Sequence, residues 1–322
     1  MTPDPGDHTA PRPEWVNASE RGSRTLLNLV VWGIRRLGSA PLRLLIGPIA
    51  LYYFVFDGRA RRASQRYLLR VGAYSADSSW LERWIQSYRH FHSFAEMIHD
   101  RLTLWGGDPN EISVTINDPE KVQDLLQKHR GAFMAGAHLG NFDVLRVIAR
   151  DAEIPVNVLM FTANAVNINA AFETLDPESQ VRIIPVSADA VDSLGVTLGI
   201  RRHIAAGEFV AAMSDRVRPG AERRVAEVDF LGDRALFPVG VFHLAAVLGA
   251  PVLLTLALRT GPRRYEVFIE TLSEGTEKVA PSERKQVLEE QLQVFAHRLE
   301  VFCRQAPHQW FNFYDFWKLP EP

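Results

Sequence analysis

The 322-residue sequence predicts an α/β fold, a mixed and mostly parallel sheet flanked by helices, with an N-terminal helical membrane-associating segment. Three observations predict it. From about Glu111 onward, short runs of strand texture alternate with amphipathic helical runs. Two of the strand runs, Val225–Phe230 and Ala235–Phe237, are joined through Gly232-Asp233 and read as an antiparallel hairpin. Ahead of them, Leu26–Phe56 is apolar yet interrupted by Arg35, Arg36 and Arg43.

In chain order, residues 1–20 are rich in proline and acids and lack the charged-then-apolar order of a signal peptide, so a disordered tail is expected. Residues 21–106 form the predicted membrane-associated segment. Its longest uncharged run, Leu44–Phe56, has 13 residues, short of the ~20 that span a bilayer. An interfacial helical hairpin broken at Gly47-Pro48 is therefore expected, with Trp32, Tyr52, Tyr53 and Phe54 at the lipid boundary. The alternative is a helical pair packed on the domain's own core. A further helical block runs over Ala60–Leu104.

Residues 107–322 hold the α/β domain. Strands are expected at Ile112–Ile116, Ala132–Ala137, Val156–Phe161, Val181–Val186 and Phe209–Met213, then the hairpin, then Pro251–Leu258 and Tyr265–Glu270. Helices are expected at Pro119–His129, Phe142–Arg150, Ala165–Leu175, Val191–Ala206, Val239–Leu248 and Pro281–Cys303.

Composition narrows the chemistry. The net charge of −2 argues against a polyanion binder as a whole. Residues 21–70, however, carry ten arginines against one acid, Asp57, which suits an anionic lipid face. No nucleic-acid motif accompanies them, and nucleic acid is not an expected partner. The single cysteine, Cys303, forbids an intrachain disulfide and a cysteine-rich metal site. The histidines show no ligand spacing, and no metal is expected.

The informative segment is Gly136-Ala-His-Leu-Gly-Asn-Phe-Asp143. A strand delivers His138 to a turn containing Gly140 and Asn141, and Asp143 follows in the next helix. In α/β sheets, sites gather at the carboxyl ends of strands. A neutral imidazole can take a proton at cellular pH, and a carboxylate on its other nitrogen fixes the tautomer. With the nucleophile supplied by a substrate, no serine or cysteine of the chain is needed, and no Gly-x-Ser-x-Gly elbow is present. A purely structural account has His138 closing a strand and Asp143 charging a helix start.

With its glycine-bearing turn, His138-Leu-Gly-Asn-Phe-Asp143 resembles the His-x4-Asp motif of the lysophospholipid acyltransferase superfamily. The chain is similar to its lauroyl and myristoyl acyltransferases of lipid A synthesis. It also resembles the superfamily's bacterial acyltransferases of aryl-polyene and other lipid-linked pathways. The stretches concerned are Glu20–Arg24, His138–Asp143, Ser214–Arg216, Phe230–Gly232, Phe237–Gly240 and Gln309–Trp317, which together span nearly the whole chain.

The resemblance implies transfer of a fatty acyl group from acyl-ACP or acyl-CoA to a hydroxyl or amine of a lipid-linked or amphipathic acceptor. It implies no cofactor beyond that co-substrate, and membrane lipids as partners at the cytoplasmic face of the inner membrane. His138 would be the general base and Asp143 its orienting partner. Substrate contacts are expected from Gly140, Asn141, Asn164, Asn167, Asp215, Arg216, Phe237 and Pro238. Asn164 serves equally as a helix cap, and Asp215 with Arg216 equally as a structural ion pair. Related glycerophosphate enzymes carry Phe-Pro-Glu-Gly where this chain has Phe237-Pro-Val-Gly240, which argues against a simple glycerol-3-phosphate acceptor. A non-catalytic lipid-binding adaptor and a thioester hydrolase are the other readings.

Overall fold

The computed structural model describes residues 36, 40–106, 111–151, 154–161, 181–186, 194–217, 224–275 and 282–317. The expected tail, Trp32 and the Ala165–Leu175 helix lie outside the described residues.

A seven-stranded sheet forms the centre. Its strands are β1 (Ser113–Ile116), β2 (Phe133–Gly136), β3 (Val156–Phe161), β4 (Val181–Val186), β5 (Phe209–Met213), β8 (Val252–Gly261) and β9 (Arg264–Ser273), in spatial order β1-β9-β8-β2-β5-β3-β4. All neighbours are parallel except β8 and β9, which run antiparallel. The sheet is thus mixed and mostly parallel, as the alternating texture predicts. β6 (Val225–Phe230) and β7 (Asp233–Pro238) make the separate hairpin. Its two-residue turn is Leu231-Gly232, one position earlier than expected, with φ of 51° and 83°. Both residues are left-handed, the geometry that matches the twist of paired strands.

Helices cover both faces, burying one apolar cluster on each. After the short turn α1 (Ala40–Arg43), the helices are α2 (Ile46–Phe56), α3 (Gly58–Arg70), α4 (Trp80–Gly106), α5 (Glu120–Gln127), α6 (Asp143–Asp151), α7 (Leu194–Ala205), α8 (Gly240–Leu248) and α9 (Arg284–Gln305). Tyr67 and Leu68 of α3, with Val71 just past its end, share a cluster with Phe133 and Val210 of the sheet and Phe295 of α9.

One expected break is placed differently. Gly47-Pro48 sits in the first turn of α2, where the missing proline N–H has no helical partner to lose, so the pair starts a helix instead of ending one. The reversal falls instead at Asp57, whose Oδ1 accepts from Ala60 N at 3.0 Å and caps α3. Ile46, Ala50 and Phe54, spaced four apart, are the face that α2 buries.

Candidate active site

The parallel register of β2 and β5 builds the site. Gly136 pairs with Met213, and Ser214 N donates to Gly136 O at 2.8 Å beyond that pair. Two residues past the paired ends stand His138 and Asp215. Their side chains meet: His138 Nδ1 lies 2.6 Å from Asp215 Oδ1, and the main-chain N–H of His138 donates to Asp215 Oδ2 at 2.9 Å.

Asp215 has no exposed side-chain surface. A buried carboxylate is tolerable only when its lone pairs are satisfied. Here Oδ2 also accepts from Trp310 Nε1 at 2.9 Å and from Asn312 Nδ2 at 3.1 Å. Burial would raise the pKa of Asp215, but its interactions with His138 and the Arg216 cation outweigh that and hold it at about 2. As a carboxylate it can only accept, so His138 Nδ1 carries the proton and Nε2 keeps its lone pair. Burial and the cations of Arg216 and Arg101 lower the pKa of His138, against the raising effect of Asp215. The imidazole is nonetheless 28% exposed. The arrangement is a neutral imidazole, held by an ionised acid and partly exposed.

The structure corrects the expected role of Asp143. Its carboxylate lies 2.7 Å from Arg101 Nε of α4, while the hydrogen bond to His138 Nδ1 belongs to Asp215. The reason is geometric. Asp143 begins α6 after the chain has turned through Gly140, whereas Asp215 leaves a strand running alongside β2. Gly140 has φ 75°, its N–H donates to Gln309 O at 2.9 Å, and the N–H of Asn141 donates to Ala257 O at 2.8 Å. Asn141 Oδ1 accepts from Asp143 N at 3.1 Å, capping α6. Gly140 and Asn141 therefore shape the loop, and both amide N–H groups are spent on the fold.

Arg216 lies beside the site, next to Asp215 in the chain. Its Nε donates to Asn312 Oδ1 at 2.5 Å and its Nη2 to Phe311 O at 2.7 Å. Phe237 is corrected to a core residue: it is fully buried, with its ring against Phe230, Phe295 and Phe316, so it supports the hairpin and presents no surface to a substrate. Pro238, half-buried, ends β7 beside it. Asn164 and Asn167 lie outside the described residues.

Within the Gln309–Trp317 stretch, the sequence does not mark out Trp310 and Asn312 as partners of Asp215. A legible signal was Asn312, an amide set among aromatics. Arg101 carried no signal within helix α4. Among the described residues, no group of three or more metal-ligating side chains is assembled.

A family model described as bacterial lipid A biosynthesis acyltransferase matches residues 17–319. No curated protein matches the chain.

Gly140→Ala should be strongly disruptive, because a Cβ there would lie 1.9 Å from Ala257 O and would sit at a left-handed φ. The backbone conformation alone costs about 1–3 kcal/mol. Urea denaturation should show a lower midpoint, and an unchanged midpoint would contradict this account of the loop.

Proposed function

Because the chain belongs to the bacterial lipid A biosynthesis acyltransferase family, and is by that membership an acyltransferase, we propose that it moves a fatty acyl group from the thioester of acyl carrier protein or coenzyme A to a hydroxyl or amine of a lipid-linked acceptor. His138 is the general base and Asp215 its orienting carboxylate. The observation that carries this reading is the 2.6 Å contact between His138 Nδ1 and Asp215 Oδ1 on a partly exposed imidazole.

The acceptor O–H or N–H donates to His138 Nε2. As its oxygen or nitrogen attacks the thioester carbonyl carbon, the proton passes to Nε2, and the imidazolium is stabilised by Asp215. The tetrahedral intermediate then collapses, its C–S bond breaks, and the departing thiolate takes the proton from Nε2. A donor-bound acyl group thus becomes an ester or amide of the acceptor, and a free thiol is released. A pKa below the ordinary imidazole range keeps His138 in the neutral form that this step consumes.

The reading includes seating on an anionic bilayer, as a peripheral protein. No helix among the described residues is long and apolar enough to cross a membrane. Support comes from the exposed apolar side chains of α2, of the turn before it and of the first turns of α4. Leu44 is 81% exposed, Phe56 72% and Trp80 70%, with Tyr52, Leu81 and Trp84 beside them. The ring of Trp84 packs edge-on against Phe54 and joins the two helices. Arg43, Arg59 and Arg62 are exposed along the same stretch, and such a pairing of aromatics with arginines suits headgroups and acyl boundary together.

Two measurements test the proposal. With labelled acyl donor and membrane lipid extract, His138→Ala should remove acylated product while the circular dichroism spectrum is retained. Asp215→Asn should lower kcat by up to ~10⁴, as a carboxamide does in other acid–histidine pairs. Since protonation disables the base, and the pKa is lowered, the acid limb of kcat/KM should fall below the ordinary imidazole value of ~6.5. Near-normal turnover by His138→Ala would refute the mechanism, and steady thiol release without acylated lipid would make the chain a hydrolase. Separately, the protein should co-sediment with phosphatidylglycerol vesicles and less with phosphatidylcholine ones. Phe56→Ser with Trp84→Ser should weaken that binding, and an unaltered partition would remove this face from the membrane contact.

A further inference from the structure

Away from the catalytic pair, α3 and α4 bury a second set of polar side chains. Ser87 Oγ lies 3.0 Å from Ser64 Oγ, Ser64 Oγ lies 3.1 Å from His90 Nδ1, and His90 Nε2 lies 2.9 Å from the main-chain oxygen of Trp310. All three side chains are fully buried. No substrate reaches His90, so it is not itself a catalytic residue.

The end of this relay fixes its direction. A carbonyl only accepts, so His90 Nε2 must carry a proton and donate it. Nδ1 then accepts the hydroxyl hydrogen of Ser64, and with that hydrogen used, Ser64 Oγ accepts from Ser87. The ring lies against Phe311 and Phe313, stacked at centroid separations of 6.0 and 4.5 Å, with Tyr67 on another side. Burial pushes the pKa of His90 down to about 3, which keeps it neutral at cellular pH.

What His90 holds is the segment that holds the site. Across residues 309–312, Gln309 O accepts from Gly140 N and Phe311 N donates to His138 O at 2.8 Å. The same segment supplies the Trp310 and Asn312 donors to Asp215. Leu139 and Trp310 form an isolated antiparallel bridge at its centre. The Trp310 carbonyl takes the His90 bond, together with one from Asn312 N at 3.0 Å.

We propose that His90 is a positioning residue for acyl transfer: by gripping the Trp310 carbonyl it sets the segment that fixes Asp215 and the backbone of His138, and so sets the aim of the base. This rests on the reading of His138 as that base.

His90→Phe keeps the ring between Phe311 and Phe313 and removes the donor, while His90→Gln keeps an N–H near the Nε2 position. His90→Phe should lower kcat roughly 10- to 100-fold, the scale of a small misplacement of catalytic groups, and leave KM for the acyl donor unchanged. His90→Gln should recover most of that loss. Should His90→Phe not fold, Ser64→Ala, which strips the donor from Nδ1, should lower kcat with the same unchanged KM. Full kcat in His90→Phe, beside an inactive His138→Ala, would overturn this inference and leave the base intact. A loss that falls on KM as much as kcat, with no recovery by glutamine, would reduce His90 to a packing residue and overturn it as well. An active His138→Ala would remove the reading on which the inference stands.

Discussion

Asp215 carries a negative charge where no water reaches it, and the surroundings are arranged around that fact. An ionised carboxylate left unpaired in an interior costs several kcal/mol. Four donors answer it, from two separate parts of the chain: the His138 backbone and ring after β2, and the Trp310 indole with the Asn312 amide near the C-terminus. Each donor is thereby placed as firmly as the acid. The imidazole is oriented because it satisfies a buried charge.

The same demand explains why a C-terminal aromatic segment belongs to the site. Trp310 is packed against Tyr67, Phe230 and Phe316, which is ordinary core behaviour for a large ring. Its polar edge needs a partner once buried, and Asp215 supplies it. Packing and chemistry are therefore joined in one side chain.

Helix α4 ties this centre to the surface. Its 27 residues span about 40 Å at 1.5 Å per residue. The first turns expose Trp80, Leu81 and Trp84. Further along, His90 meets Trp310, Glu96 and Asp100 pair with Arg259, and Arg101 pairs with Asp143 beside the His138 loop. Arg259 in turn exchanges two main-chain to side-chain hydrogen bonds with Gln309, each 2.8 Å. One helix thus reaches from the exposed side chains Trp80, Leu81 and Trp84 to the residues beside the His138 loop.

The strands were legible because each is a local pattern. Val156–Phe161, Val181–Val186, Phe209–Met213 and Val225–Phe230 are predicted with the bounds they have, since β-branched and apolar runs bounded by turn residues need no distant information. His138 and its turn were legible for the same reason: Gly140 and the helix start lie within five residues of it. The sequence by itself therefore determined the alternation, the mixed sheet and the imidazole at a strand end. Only the tertiary structure decided which carboxylate that imidazole meets. Asp143 is near along the chain and Asp215 is 77 residues away, yet the parallel pairing of β2 with β5 brings their ends side by side. Strand order and register arise from long-range packing, and no window of neighbouring residues encodes them.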